Sequence, residues 1–211
     1  NNDKPDACTQ ATVLGPFHVE DAPHYKLGDD VANGAQGQPC QVQGSVKGVQ
    51  GEAVAHARFE VWQSDEKGLY DVQYADRTQH QARGILTADA QGRFHFQSIL
   101  AMPYPIPHDG PVGQLLQATA RHPWRPAHLH FKIEAPGYET LITHVFRKDD
   151  PYLASDAVFG VRESLVTRFE KEDIAEHLQR LESQMQQSSL EEKVILDTAL
   201  VGIAFVRGRR I

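Results

Sequence analysis

Two histidines one residue apart, His128 and His130, are the best-spaced chemical pair in the chain. Side chains two apart on a strand share a face. Two imidazoles on one face can grip one metal ion. Taken alone, such a pair is more often incidental. The neighbourhood argues against that here. The stretch reads Arg121-His-Pro-Trp-Arg125-Pro126-Ala-His128-Leu-His130-Phe131. Pro126 biases Arg125 toward extended backbone, so a strand is expected to begin there. Arg125 then lies beside the two histidines and ligates nothing. Further back stand two tyrosines in unusual settings, Tyr70 closing Gly68-Leu69-Tyr70 and Tyr104 inside Pro103-Tyr-Pro-Ile-Pro107.

Imidazoles alone are compatible with zinc, copper, nickel or iron. Phenolate is a hard anionic oxygen ligand that suits a hard, highly charged cation, and tyrosine ligates ferric iron in catalase haem. Two phenolates and one hydroxide would neutralise Fe(III) and leave both histidines neutral. Each tyrosine alone also reads as an ordinary turn residue or a loop residue packed on proline. Nothing in the settings of Tyr25, Tyr74, Tyr138 or Tyr152 singles them out.

These residues need a scaffold, and the pattern predicts an all-β one: a β-sandwich catalytic domain with a few peripheral helices and long loops. Residues 1–40 read as an extended lead-in rich in Gly, Asp, Asn and Pro, and residues 41–211 as the sandwich, in one domain. Val42 and Val46 alternate on one face of a first strand. Val54 to Gln63 reads as a strand with Ala57, Phe59 and Val61 on one face and His56, Arg58 and Glu60 on the other. Asp65 to Tyr70 is a turn closed by Gly68, and Asp89 to Gly92 another. Phe94 and Phe96 are in phase on a short strand. The alternate prolines at 103, 105 and 107 exclude a helix or an interior strand and leave a stiff extended loop. Gly113 to Arg121 reads as a short helix with Leu115, Leu116 and Thr119 inward. After the His-x-His strand come a turn at Pro136-Gly137 and a return strand from Thr140 to Phe146. Ile174, His177, Leu178, Leu181 and Met185 recur at helical spacing from Glu170 to Gln187. Val194 to Val206 reads as a closing strand.

The 211 residues are enough for one sizeable core. A net charge of -7 offers no basic surface for nucleic acid, and Arg207-Gly-Arg-Arg210 is too short for a binding tail. No apolar run approaches membrane-spanning length. Cys8 and Cys40 make no disulfide framework, and pairing is left open.

Several of these stretches together resemble the intradiol ring-cleavage dioxygenases, the non-haem ferric enzymes that open catechols between the two hydroxyls. The matching pieces are Val13-Leu14-Gly15-Pro16-Phe17, Val61-Trp-Gln63, Gly68-Leu-Tyr70, Tyr104-Pro-Ile-Pro107, Asp109-Gly-Pro111, Arg125-Pro-Ala-His-Leu-His130 and Asp156-x-x-Phe159. The resemblance runs from about Thr12 to Leu200, and the hydroxyquinol-cleaving group is most similar. The resemblance implies one Fe(III) per chain on Tyr70, Tyr104, His128 and His130, with Tyr104 the mobile, proton-accepting ligand. It implies Arg125 as the catalytic arginine facing the substrate. It implies a pocket walled by Val13, Leu14, Gly15, Pro16 and Phe159, with His144 (glutamine in catechol-specific relatives) either a pocket residue or a strand histidine. The implied partners are a catecholic substrate and O2, with hydroxyquinol opened to 3-hydroxy-cis,cis-muconate and then maleylacetate. A cytoplasmic homodimer is expected. Catechol and chlorocatechols remain alternative substrates. Many relatives carry a helical segment ahead of the Leu-Gly-Pro stretch. The expectation here is a catalytic domain without it, with dimer mode and pocket rim left open.

Two rival classes fit parts of the chain. His128-x-His130-x-x-x-Glu134 matches the core of a cupin Fe(II) site, but no second cupin half is visible. Gln43 to Ser98 would pass for a non-enzymatic transthyretin-like binding module.

Overall fold

A computed structural model describes residues 8–169 and the backbone of 200–205. The expected helix from Glu170 to Gln187 lies outside the described residues. Ten strands are described: β1 (Pro39–Gly48), β2 (Arg58–Gln63), β3 (Arg83–Thr87), β4 (Arg93–Ile99), β5 (Tyr104–Pro105), β6 (Trp124–Arg125), β7 (His128–Glu134), β8 (Leu141–Arg147), β9 (Val166–Thr167) and β10 (Leu200–Phe205). One α-helix, α1 (Pro111–Ala118), joins β5 to β6. The strands form a five-stranded sheet ordered β3-β2-β7-β8-β9, a three-stranded sheet ordered β10-β1-β4, and a ribbon of β5 and β6.

The two larger sheets face each other over one core. Val42 and Val46 of β1 and Phe94 and Phe96 of β4 meet Phe59 and Val61 of β2, Leu129, Phe131 and Ile133 of β7 and Val145 of β8. Strand alternation chooses these residues, because every second side chain of each strand points inward. The Phe59 and Phe94 rings pack at 4.7 Å.

The opposite face of the five-stranded sheet is buried as well, and this decides where function sits. Residues 8–38 are a strap across that face and along two sheet edges. Thr12 N–H donates to Ile142 C=O on β8, Tyr25 N–H to Ile85 C=O on β3, and Val31 N–H to Gln97 C=O on β4. The strap covers the edges of β3 and β4 that would otherwise expose unpaired backbone groups.

Some local expectations need correction. The β2 ladder begins at Arg58, not Val54: Ala53 makes one isolated bridge to Lys47, and His56 takes positive φ in a turn. The His-x-His strand begins at His128, not Arg125, because Trp124–Arg125 leaves the sheet to pair with Tyr104–Pro105. On α1 only Leu116 and Gly113 are buried. Leu115 is 63% exposed and Thr119 is exposed, since a helix capped by loops on one side buries a narrower stripe than its sequence offers. Strands β3 and β9 were not anticipated. Cys8 and Cys40 are both free thiols. No helix among the described residues is long and apolar enough to cross a membrane.

Candidate metal and active site

Register builds the site. Arg83 of β3 pairs with Trp62 of β2, Trp62 with His130 of β7, and His130 with His144 of β8. These four residues form a row across the strap-covered face. His128, two residues before His130, shares that face one rung along, opposite Phe146. Trp62 stacks on the His130 ring at 4.6 Å and 16°, fixing its plane.

The tyrosines arrive from loops. Gly68 holds φ +72°, and a Cβ there would meet the Pro103 carbonyl oxygen at 2.6 Å, so only glycine lets the Tyr70 turn seat against the Tyr104 loop. Tyr104 and Arg125 face each other as partners in the β5–β6 ribbon. Phe17 of the strap stacks on Tyr70 at 4.5 Å and meets Tyr104 edge-on at 6.0 Å.

The polar atoms converge. His128 Nδ1 donates to the Pro126 carbonyl at 2.7 Å, a partner that can only accept, so Nδ1 carries the proton and Nε2 presents a lone pair. That Nε2 lies 3.1 Å from His130 Nε2, which lies 3.1 Å from Tyr70 Oη. Arg125 Nη1 donates to Tyr104 Oη at 3.3 Å and reaches His128 Nε2 at 3.4 Å. Tyr70, Tyr104, Arg125, His128 and His130 are all buried. His130 Nδ1 has no hydrogen-bond partner. With Nδ1 of His130 free to carry that ring's one proton, both Nε2 atoms can present lone pairs to a single cation between them.

Electrostatics agree. Burial pushes both His128 and His130 well below the usual imidazole range, with Arg125 and neighbouring histidines adding to it, so both rings are neutral. Burial, with Tyr104 adding, pushes the Tyr70 phenol well above its ordinary value; only a bound cation would make it a phenolate near neutrality. Burial works to lower Arg125, but attraction to Tyr104 and bonds to Asp156 outweigh it and hold the guanidinium charged. Asp156 Oδ1 accepts from Arg125 Nε at 3.1 Å and Oδ2 from Nη2 at 3.3 Å.

His144 is fully buried, and neither ring nitrogen makes a hydrogen bond of normal geometry, although the Val13 backbone lies close. Burial lowers its pKa to about 3. Its ring lies 4.2 Å from that of His130 and 4.8 Å from that of His128. One nitrogen each from His128, His130 and His144 lie within 4.8 Å of one another, a group that could hold a metal ion.

The expected pocket walls are not equally close. A Cβ on Gly15 would lie 3.3 Å from His130 Cε1, so the strap passes directly over that ring. Leu14 packs on the cluster of Phe17, Trp62, Tyr70 and Tyr104. Val13 is 66% and Phe159 70% exposed, and Pro16 is exposed. Arg121 lies over the Phe159 ring at 4.0 Å. Glu134, the third residue of the rival cupin reading, pairs with Arg58 and Lys132 instead. A separate apolar cleft among Val42, Leu129, Phe131, Val145 and Phe169 contains none of the candidate residues.

Sequence reasoning missed the salt bridge that supports the site. Arg83, 2% exposed, bonds the Asp71 carboxylate through Nε at 2.8 and 2.9 Å and through Nη2, and donates to the Phe17 carbonyl at 2.8 Å. It ties the strap to the residue after Tyr70. A charged residue inside an Arg-Gly-Ile-Leu strand was the available signal.

A family profile described as Dioxygenase matches residues 13–188. The chain belongs to the intradiol ring-cleavage dioxygenase family. It is 64% identical over 166 residues to the 6-chlorohydroxyquinol 1,2-dioxygenase of Cupriavidus pinatubonensis, covering 79% of this chain and 60% of that one. It is 50% identical over 173 residues to the hydroxyquinol 1,2-dioxygenase of Corynebacterium glutamicum, covering 82% and 57%. The chain thus spans less than two thirds of the length of either relative. The crystal structure of a hydroxyquinol 1,2-dioxygenase from Pseudomonas putida superposes with a TM-score of 0.81 at 39% identity, covering 98% of this chain and 69% of that one.

Proposed function

We propose that this dioxygenase uses Fe(III), one per chain, held by Tyr70, Tyr104, His128 and His130, to cleave hydroxyquinol between its adjacent hydroxyls with insertion of both atoms of O2. The observation that carries this is the convergence of two imidazole Nε2 atoms and two phenol oxygens beside a buried guanidinium. The set is hard and anionic enough for a ferric ion, and the neutral histidines keep its net charge low. When bound, the ion would supply Lewis acidity toward the diol oxygens and a template for reaction with O2.

The chain's own residues supply the rest. Tyr104, on a two-residue ribbon, is the group free to swing and take a substrate proton at Oη. Tyr70, stacked on Phe17 and seated by the Gly68 turn, stays. Arg125 keeps its charge at all working pH and stabilises negative charge that develops on the ring carbon and oxygen. Leu14, Gly15 and Phe17 exclude water from the site while Val13, Pro16 and Phe159 stand exposed, and His144 offers a nitrogen to the third hydroxyl. An unpaired buried hydroxyl costs about 1–3 kcal/mol, so this partner is worth roughly five- to 150-fold in discrimination against catechol. The names and identities of the relatives support the hydroxyquinol choice. The Cupriavidus relative also favours a second reading, in which a ring-chlorinated hydroxyquinol is the preferred substrate. The family resemblance supports a cytoplasmic homodimer.

Purified iron-loaded protein should show a broad visible tyrosinate-to-iron band. Oxygen uptake should rank hydroxyquinol, with or without a 6-chloro group, ahead of catechol and chlorocatechols. A colourless ferric form would refute the metal site; a clear preference for catechol would refute the substrate and leave the iron intact.

A further inference from the structure

We propose that His128, His130 and His144 form a second donor set at this centre, a three-imidazole site for a divalent transition ion of the zinc or cobalt class that uses neither tyrosine. His144 is fully buried, its two nitrogens lack hydrogen-bond partners, and one nitrogen from each of the three rings lies within 4.8 Å of the others. A tetrahedral ion with metal–nitrogen bonds of roughly 2.0–2.1 Å needs ligand nitrogens about 3.3 Å apart. His128 Nε2 and His130 Nε2 are already 3.1 Å apart. His144 must close by up to about 1.5 Å to reach that spacing, a rotation that breaks no hydrogen bond of normal geometry and gives up only a weak contact with the Val13 backbone.

The register explains why the three meet. His144 stands opposite His130 on the neighbouring strand, and His128 is one rung away on the same face. Three neutral imidazoles are a borderline donor set that suits divalent zinc, cobalt, nickel or copper. They leave a fourth position open, as in zinc sites with three protein ligands. Phenol oxygens are the hard part of the site, and a softer divalent ion gains less from them. The two sets share His128 and His130, so one ion excludes the other. The zinc form is therefore a colourless, iron-free alternative when zinc is plentiful. Only this competition rests on the ferric reading; the three-imidazole site does not.

The test uses the full chain stripped of metal and titrated with cobalt(II). One ion per chain should bind with the strong visible d–d absorption of a four- or five-coordinate ion. His144→Gln, which keeps size and polarity, should weaken cobalt at least tenfold to a hundredfold, the range that even outer partners of metal sites contribute. It should take up ferric iron with its colour intact. Tyr70→Phe should lose the ferric colour and bind cobalt as the wild type does. Paramagnetic proton NMR of the wild-type cobalt form should show three coordinated imidazoles. Unchanged cobalt affinity in His144→Gln, two imidazole signals, or equal cobalt loss in Tyr70→Phe would each overturn the proposal. So would loss of both ferric colour and cobalt in His144→Gln, because the donor sets would then be one. A ferric form without colour would sink the iron reading and leave the cobalt result standing.

Discussion

Replacing Asp156 by asparagine should separate what holds Arg125 from what Arg125 does. Asp156 is 3% and Arg125 4% exposed, so the pair is dry. The carboxylate accepts four donors: Arg125 Nε at 3.1 Å and Val158 N–H at 3.3 Å on Oδ1, Arg125 Nη2 at 3.3 Å and Gly160 N–H at 2.8 Å on Oδ2. An amide turns one oxygen into an NH2, and either orientation then sets a donor against two donors. The guanidinium also loses its counter-charge. Breaking a buried pair by removing one partner costs about 3–5 kcal/mol. In a chain of this size that lowers the melting temperature by roughly 6–20 °C. Turnover should suffer separately. Arg125 Nη1 reaches Tyr104 and His128 only because Nε and Nη2 are held from behind, and a displacement near 1 Å costs on the order of a hundredfold in rate. Iron content and KM should change little, since Asp156 bonds none of the four candidate ligands. Urea titration, iron analysis and steady-state oxygen uptake measure the three quantities. Stability within about 1 kcal/mol of wild type, together with unchanged kcat, would refute the claim that this ion pair positions Arg125.

Other perturbations probe the remaining parts. Tyr70→Phe should lose most iron or its colour band, whereas Tyr104→Phe should retain iron and lose rate; equal iron loss would contradict their different roles. A Cβ at Gly160 would lie 2.8 Å from Arg125 Nη2 and 3.1 Å from Asp156 Oδ2, so Gly160→Ala should cut kcat about tenfold or more and leave iron in place, read by parallel kinetics and iron analysis. The metal-free chain should lose stability as pH falls below about 6.5, the ordinary imidazole value. His144 stays neutral when folded, with a pKa of about 3, while the unfolded chain takes up the proton. Between those values this ring alone contributes a slope of about 1.4 kcal/mol per pH unit. Thermal melts of metal-free wild type and His144→Gln from pH 7 to pH 4.5 check this, and parallel curves would disprove it.

The sandwich core was legible because strand alternation is local. Phe94 with Phe96 and Phe59 with Val61 announce their inward faces from residue order alone. The placement of His128 and His130 on one face followed from the same rule. What sequence could not supply was which strands lie beside β7. His144 gains its meaning from standing opposite His130, and that register depends on the turn at Pro136-Gly137 and on core packing across two sheets. Arg83 was invisible for the same reason: its partner Asp71 follows a turn twelve residues earlier, and its other partner, the Phe17 carbonyl, belongs to the strap. The lead-in looked like loop because it is irregular. Its order comes from hydrogen bonds to sheet edges, which leave no periodic trace in sequence.

That strap changes how the site should be understood. A five-stranded sheet with one face on a core would ordinarily show water its other face, and the imidazoles of β7 and β8 would be solvated. Here Phe17 closes over Tyr70 and Tyr104, Gly15 passes over His130, and Arg83 ties the Phe17 carbonyl to Asp71 beside Tyr70. Burial is what keeps the histidines neutral and the guanidinium's field unscreened. The Arg83 charge also acts directly on His130 and Tyr70, working to lower the pKa of both. Together with the dryness of the cavity and the seating of Tyr70, this makes a defect at Arg83 one that should appear in the visible band of an iron-loaded protein before it appears in substrate affinity.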